Sequence, residues 1–202
     1  MASYDTTSSP PAAAEEPLKR SAPPPEYNGG FSPVVDVALR VLLFATTLVA
    51  IIVMVTSKQT KLIPLAPGLA IPLPAKFQHA PAFIYLVAAL SVTSLYTIVT
   101  CVLSALALMT PGGCSTKLQF HFLMFDALLL GIVAAATGAA GGVAYIGLKG
   151  NSHTGWNKIC NTYDSFCFHT AASVLLSLIS SITLLLLVWL SISVLYKKTA
   201  RR

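Results

Sequence analysis

Four stretches of this chain are apolar for long enough to cross a bilayer, and that limits the fold more than any other feature. A spanning helix takes about 20 residues. Residues 34–56, 83–109, 120–148 and 168–196 each meet that length. Hydrocarbon offers no water to an exposed amide, so each stretch must satisfy its own backbone hydrogen bonds, and a helix does so. None of the four shows the alternating apolar and polar residues of a membrane barrel. The reading is an all-α membrane protein, a four-transmembrane-helix bundle over residues 34–196. Composition agrees: charged residues make up 10% of the chain, against about 25% in soluble domains.

The flanks differ from the spans. Residues 1–33 are rich in Pro, Ser and Ala, with Asp5, Glu15, Glu16 and Glu26. Such a segment cannot bury enough apolar surface to offset its ordering entropy, so a disordered tail is expected. It also lacks the basic start followed at once by an apolar core that marks a signal peptide. Residues 197–202 form a short basic tail. Four crossings return both termini to one side. Lys19, Arg20, Lys117, Lys197, Lys198, Arg201 and Arg202 would share that side, and Lys58, Lys61, Lys76, Lys149 and Lys158 the other. The dense C-terminal cluster follows the positive-inside rule, so cytoplasmic termini are expected. The same rule accounts for the net charge of +6. Nucleic acid is not an expected partner, because its binding needs basic residues clustered on a soluble face.

Arg40 and Asp126 are the two ionisable residues that lie well inside spans. Both sit about six residues in from the cytoplasmic border, roughly 9 Å deep at 1.5 Å per residue. Buried charges are costly and face a bundle interior where a partner waits. An intramembrane pair between Arg40 and Asp126 is therefore expected. Two alternatives stay open. Asp36, one turn before Arg40, can pair with it along the same helix or join as a third member. Arg40 can also snorkel to the headgroups.

Membrane helices associate through small residues, because lipid tails are as apolar as leucine. The second span offers Ala89, Thr93, Thr97, Cys101 and Ala105. The third offers Gly138 and Gly142 in a GxxxG spacing, beside Gly131, Ala135 and Ala139. The fourth offers Ser173, Ser177 and Ser181. Each stripe is read as a seam inside the bundle, with a second copy as the other occupant.

The connections are a proline-punctuated loop at 57–82, a short turn at 110–119 and a polar loop at 149–167. Cys160 and Cys167 share the last of these, on the side expected to be oxidising, and are a candidate disulfide. Two free thiols are the alternative, and a zinc site fits their spacing to His153 and His169 poorly. Cys101 and Cys114 fall on the reducing side.

No nucleophile is placed beside a base, no glycine loop could cradle phosphate, and no metal-ligand motif appears. An enzyme is not expected, nor a cofactor or a metal. A scaffold or interaction module is the favoured reading, with a small transporter or channel as the alternative.

The residues also carry a resemblance. Arg40 in the first span and Asp126 in the third, "AKFQHAPAFIYLVAALSVTSLY" entering the second, and "GWNKICNTYDSFC" in the last loop together resemble the plant Casparian strip membrane domain proteins. More closely they resemble the CASP-like relatives, distant kin of MARVEL-type four-span proteins. The resemblance covers residues 34–196. It implies multi-pass plasma-membrane proteins that form homo- and heteromeric assemblies, with extracellular wall-modifying proteins as partners of the strip-forming members. It also implies a structural or contact role for Trp156, Cys160, Phe166 and Cys167. In the first outer loop the chain has "IPLAPGLAIPLPAKFQH" where strip-forming members have ETLPFFTQF, so the resemblance is to a CASP-like member.

Overall fold

A computed structural model describes residues 33–66, 69–109 and 116–200. Four long helices dominate it: α1 (Pro33–Thr56), α2 (Pro81–Met109), α3 (Thr116–Lys149) and α4 (Asp164–Ala200). All four are long and apolar enough to span a membrane. They form a ring in which α1 neighbours α2 and α4, and α3 neighbours the same two. Hence α1 and α3 are diagonal partners. Cross-links such as Arg40 to Thr100, Ser173 to Ala50 and Thr137 to Ser177 make adjacent helices antiparallel.

The surface is inverted relative to a water-soluble bundle. Leu42, Val49, Leu95, Val99, Leu175 and Trp189 point outward. Arg40, Asp126, Thr93, Thr97, Ser173 and Ser177 are buried beside Leu43, Leu86, Val133 and Leu184. Exposed apolar area on this scale marks a surface that meets another apolar phase, here lipid.

Three helices begin at least two residues before the apolar stretch does. α2 starts at Pro81, because proline fits the first turn, where its missing N–H has no intrahelical partner. α3 starts at Thr116, four residues ahead of the apolar boundary at 120. α4 starts at Asp164, whose charge in the first turn suits the helix dipole. At its other end α4 continues through Lys197 to Ala200. The basic segment expected as a tail from residue 197 is thus helical as far as 200. No breaker interrupts it, and cations favour a helix C-terminus. The tail at 1–32, the turn at 110–115 with Cys114, and residues 201–202 lie outside the described residues.

The segment at 57–82, read as a loop, is a correction. It contains an antiparallel hairpin of β1 (Lys58–Ala66) and β2 (Leu69–Lys76), followed by a single 3-10 turn at Phe77–His79. Its prolines mislead a propensity reading. The register pairs Thr60 with Pro74, Leu62 with Pro72, and Pro64 with Ala70. These are alternate positions, so the absent N–H groups all point away from the partner strand. Both strands are edges, where such prolines are tolerated.

Candidate functional site: a charge cluster across the bundle

Faces of α1, α2 and α3 converge on Arg40. Along α1 the buried positions are Arg40, Leu43, Thr47, Ala50 and Met54, a helical repeat of three and four residues. Arg40 leads this stripe and is 1% exposed. Its Nη2 donates to Asp126 Oδ2 on α3 at 3.2 Å, across the diagonal. Its Nη1 donates to Thr100 Oγ1 on α2 at 3.0 Å. Its Nε donates to Asp36 Oδ2 one turn back at 3.1 Å. The guanidinium also lies over the Phe122 ring, 5.4 Å from its centre, within cation–π range.

The structure therefore brings Arg40, Asp126 and Asp36 into one cluster. The two carboxylates are not equivalent. Asp126 is fully buried, whereas the Asp36 side chain is 30% exposed. Snorkelling does not describe Arg40, which turns inward. Among the described residues, Asp126 Oδ1 is buried without a hydrogen-bond partner, while Oδ2 accepts from Arg40.

Sequence reasoning missed Thr100 and Tyr96. Thr100 accepts from Arg40 while donating to the Tyr96 carbonyl at 3.1 Å. The Tyr96 hydroxyl donates to the Phe122 carbonyl at 3.3 Å, tying α2 to α3 beside the cluster. Thr100 was legible in principle. A stripe of period four drifts about 40° per step from a helix face, so Thr100 replaces Cys101 on the buried side. Cys101 and Ala105 are only half-buried.

The serine stripe of α4 lies inside. Ser173 donates to the Ala50 carbonyl at 2.9 Å and Ser177 accepts from Thr137 at 3.0 Å. Ser181 bonds within its own helix. Ser180, outside the expected stripe, donates to Thr46 at 2.9 Å. Hydroxyls thus join α4 to both of its neighbours.

The glycine stripe of α3 does not lie inside, which corrects the expected seam. Gly138 and Gly142 are exposed, as are Gly131, Ala135 and Ala139. A Cβ added at Gly131, Gly138 or Gly142 would meet nothing within 4 Å. Asp126 explains this. It turns inward, and the same face carries Leu129, Val133, Ala136 and Ala140. Residues 131, 138 and 142 sit roughly 120–160° around the helix from it.

At the opposite end of the bundle, Cys160 and Cys167 form a disulfide with Cα atoms 5.6 Å apart. It ties the loop after α3 to the first turn of α4. Gln59 in β1 clips that turn from the other side. Its Nε2 donates to Asp164 Oδ1 at 3.1 Å, and its Oε1 accepts from the Phe166 amide at 3.0 Å. Phe166 packs edge-on against Phe83, with ring centres 6.4 Å apart. The Tyr163 hydroxyl donates to the Leu73 carbonyl in β2 at 2.8 Å. Trp156 stands apart, exposed on a small loop closed by paired Asn151 and Trp156 backbones. The two aromatic residues expected to act alike therefore differ: Phe166 faces in and Trp156 faces out.

Residues 30–183 match the Casparian strip membrane protein domain. The chain is 54% identical over 170 residues to CASP-like protein 1D1 of Vitis vinifera, covering 84% of this chain and 81% of that one. It is 57% identical over 157 residues to CASP-like protein 1D1 of Glycine max, covering 77% and 80%. It is 58% identical over 146 residues to CASP-like protein 1 of Panax ginseng, covering 72% and 98%. No solved structure matches the chain.

Proposed function

Because the chain belongs to the Casparian strip membrane protein domain family, we propose that it is a non-enzymatic scaffold of the plasma membrane. In this reading it associates laterally with itself and with related members, and organises a membrane subdomain facing the cell wall. Both termini are cytoplasmic, which places the hairpin and the disulfide loop on the wall side.

The observation that carries the proposal is the outward glycine face of α3. Gly131, Gly138 and Gly142 leave a flat strip on which a second helix backbone can approach closely, the arrangement that favours helix association in lipid. The buried polar groups support the same reading. Arg40 bonds to both Asp126 and Thr100, and most interior serines and threonines bond between or within helices. These groups serve assembly. A transport path would need unpartnered polar groups in file across the bilayer, whereas the two buried side-chain atoms without a partner among the described residues, Asp126 Oδ1 and Thr170 Oγ1, lie toward opposite ends of the bundle.

Cysteine cross-linking in native membranes tests the proposal. G138C is expected to form a disulfide-linked dimer, while L42C, on the lipid-facing side of α1, does not. Dimer formation at L42C as readily as at G138C contradicts the proposed face. Tracking of single molecules tests the assembly: slow, clustered diffusion is expected, and motion as a lone monomer contradicts it.

A further inference from the structure

Of the four neighbouring helix pairs, α2 and α3 make the slightest contact. At the hairpin end of the bundle, the space between them and α4 is a cavity of about 550 Å³. That lies within the range of small-molecule sites, about 300–1,000 Å³. Its walls are mostly carbon, from Phe83, Ala144, Leu148 and Val174, with one buried hydroxyl, Thr170 Oγ1, that has no partner among the described residues, and the Cys160–Cys167 disulfide closes one side. Tyr145 and Leu175, both exposed to the lipid side, frame the opening. A mostly apolar pocket that opens between spanning helices has hydrocarbon beside it.

The rim has the opposite character. Lys76 and His79 line the cavity just before α2 begins at Pro81, where a span meets the headgroup layer. Both are exposed, and neither forms an ion pair among the described residues. This end of the bundle carries Lys58, Lys61, Lys76, Lys149 and Lys158 against one carboxylate among its described residues, Asp164. Asp164 is already engaged by Gln59 at 3.1 Å and Lys61 at 4.0 Å. A phosphate arriving at Lys76 would meet attraction from several lysines and little repulsion.

We propose that this cavity holds one acyl chain of a bilayer phospholipid, with the lipid phosphate against Lys76. The site is independent of self-association: a monomer would hold the lipid equally well.

The test uses the full chain in vesicles of phosphatidylcholine and phosphatidylglycerol, with a trace of phosphatidylcholine bearing a diazirine on its acyl chain. After photolysis, labelled peptides are mapped. Severalfold more label is expected on residues 141–148 and 170–175 than on the lipid-facing side of α2 around Leu95 and Val99. A144F, which places a ring in the cavity, should remove that excess, and K76E should lower it. Retention of the Cys160–Cys167 disulfide checks that the variants fold. Equal labelling of the two regions in the unmodified protein overturns the proposal, and so does cavity labelling that survives A144F. Labelling untouched by K76E overturns the phosphate position. An unlabelled cavity in protein that runs as a dimer assigns the space to a second copy, which also overturns it.

Discussion

Arg40 is the residue on which the packing turns. Its three donor nitrogens reach three elements or turns at once, which a lysine could not match, because only a guanidinium holds its donors in a planar fork. Thr100 provides one of those contacts, and T100V removes it while keeping the shape. Hydrogen bonds to charged groups contribute about 1.5–3 kcal/mol, so a loss of that order is expected in unfolding measured in detergent micelles. Gly150 is a second singular residue. Its φ is +70°, and an added Cβ would lie 2.8 Å from the Trp156 carbonyl oxygen. G150A should therefore cost at least the roughly 1–2 kcal/mol of a left-handed backbone, read as a lower melting temperature. Arg40, Asp126 and Asp36 were legible because charges in apolar runs are conspicuous. Thr100 was harder to see, because threonine is common in membrane helices and this one emerges only when the period-four stripe is corrected to the true helical repeat.

Among the elements, hydropathy located all four helices and misplaced several of their ends. It reports where lipid contact begins, whereas a helix ends where its backbone bonding ends. Thr116 and Asp164 start helices that project beyond the apolar zone for this reason. The hairpin was hidden for a different reason. Proline content argues against a strand until the register is known, and only the register reveals that Pro64, Pro72 and Pro74 all point the same way. The glycine stripe was visible but assigned to the wrong side of α3, although the inward Asp126 already fixes that rotation. At this scale the start of α4 is held twice, by Gln59 and by the disulfide. The disulfide closes a short loop, Cys160 to Cys167, and the chain-entropy model gives about 2–3 kcal/mol for a loop of this length. C160S/C167S should lower the melting temperature accordingly. Adding Q59A should raise proteolysis between Asn151 and Asp164 beyond what either change causes alone.

For the whole molecule, lipid supplies no hydrophobic force between helices, so polar contacts must choose among possible arrangements. The hydroxyl pairs join neighbours: α4 to α1 through Ser180 and Thr46, α4 to α3 through Thr137 and Ser177. The Arg40–Asp126 contact spans the ring, and so fixes the height and rotation of α1 and α3 together. A buried ion pair adds little net stability compared with a well-packed apolar pair, yet stranding one partner costs about 3–5 kcal/mol. The cluster is therefore best understood as a device for specifying one arrangement, and the outward glycine face of α3 is a consequence of that arrangement.

Charge exchange measures this most directly. In a D36N background, which removes the neighbouring carboxylate, R40D and D126R are compared singly and together by unfolding of the purified protein in micelles. Each single reversal should abolish a cooperative transition, and R40D/D126R should restore one. A double reversal that unfolds no better than the two singles, or single reversals that leave the transition untouched, would contradict that role for the pair.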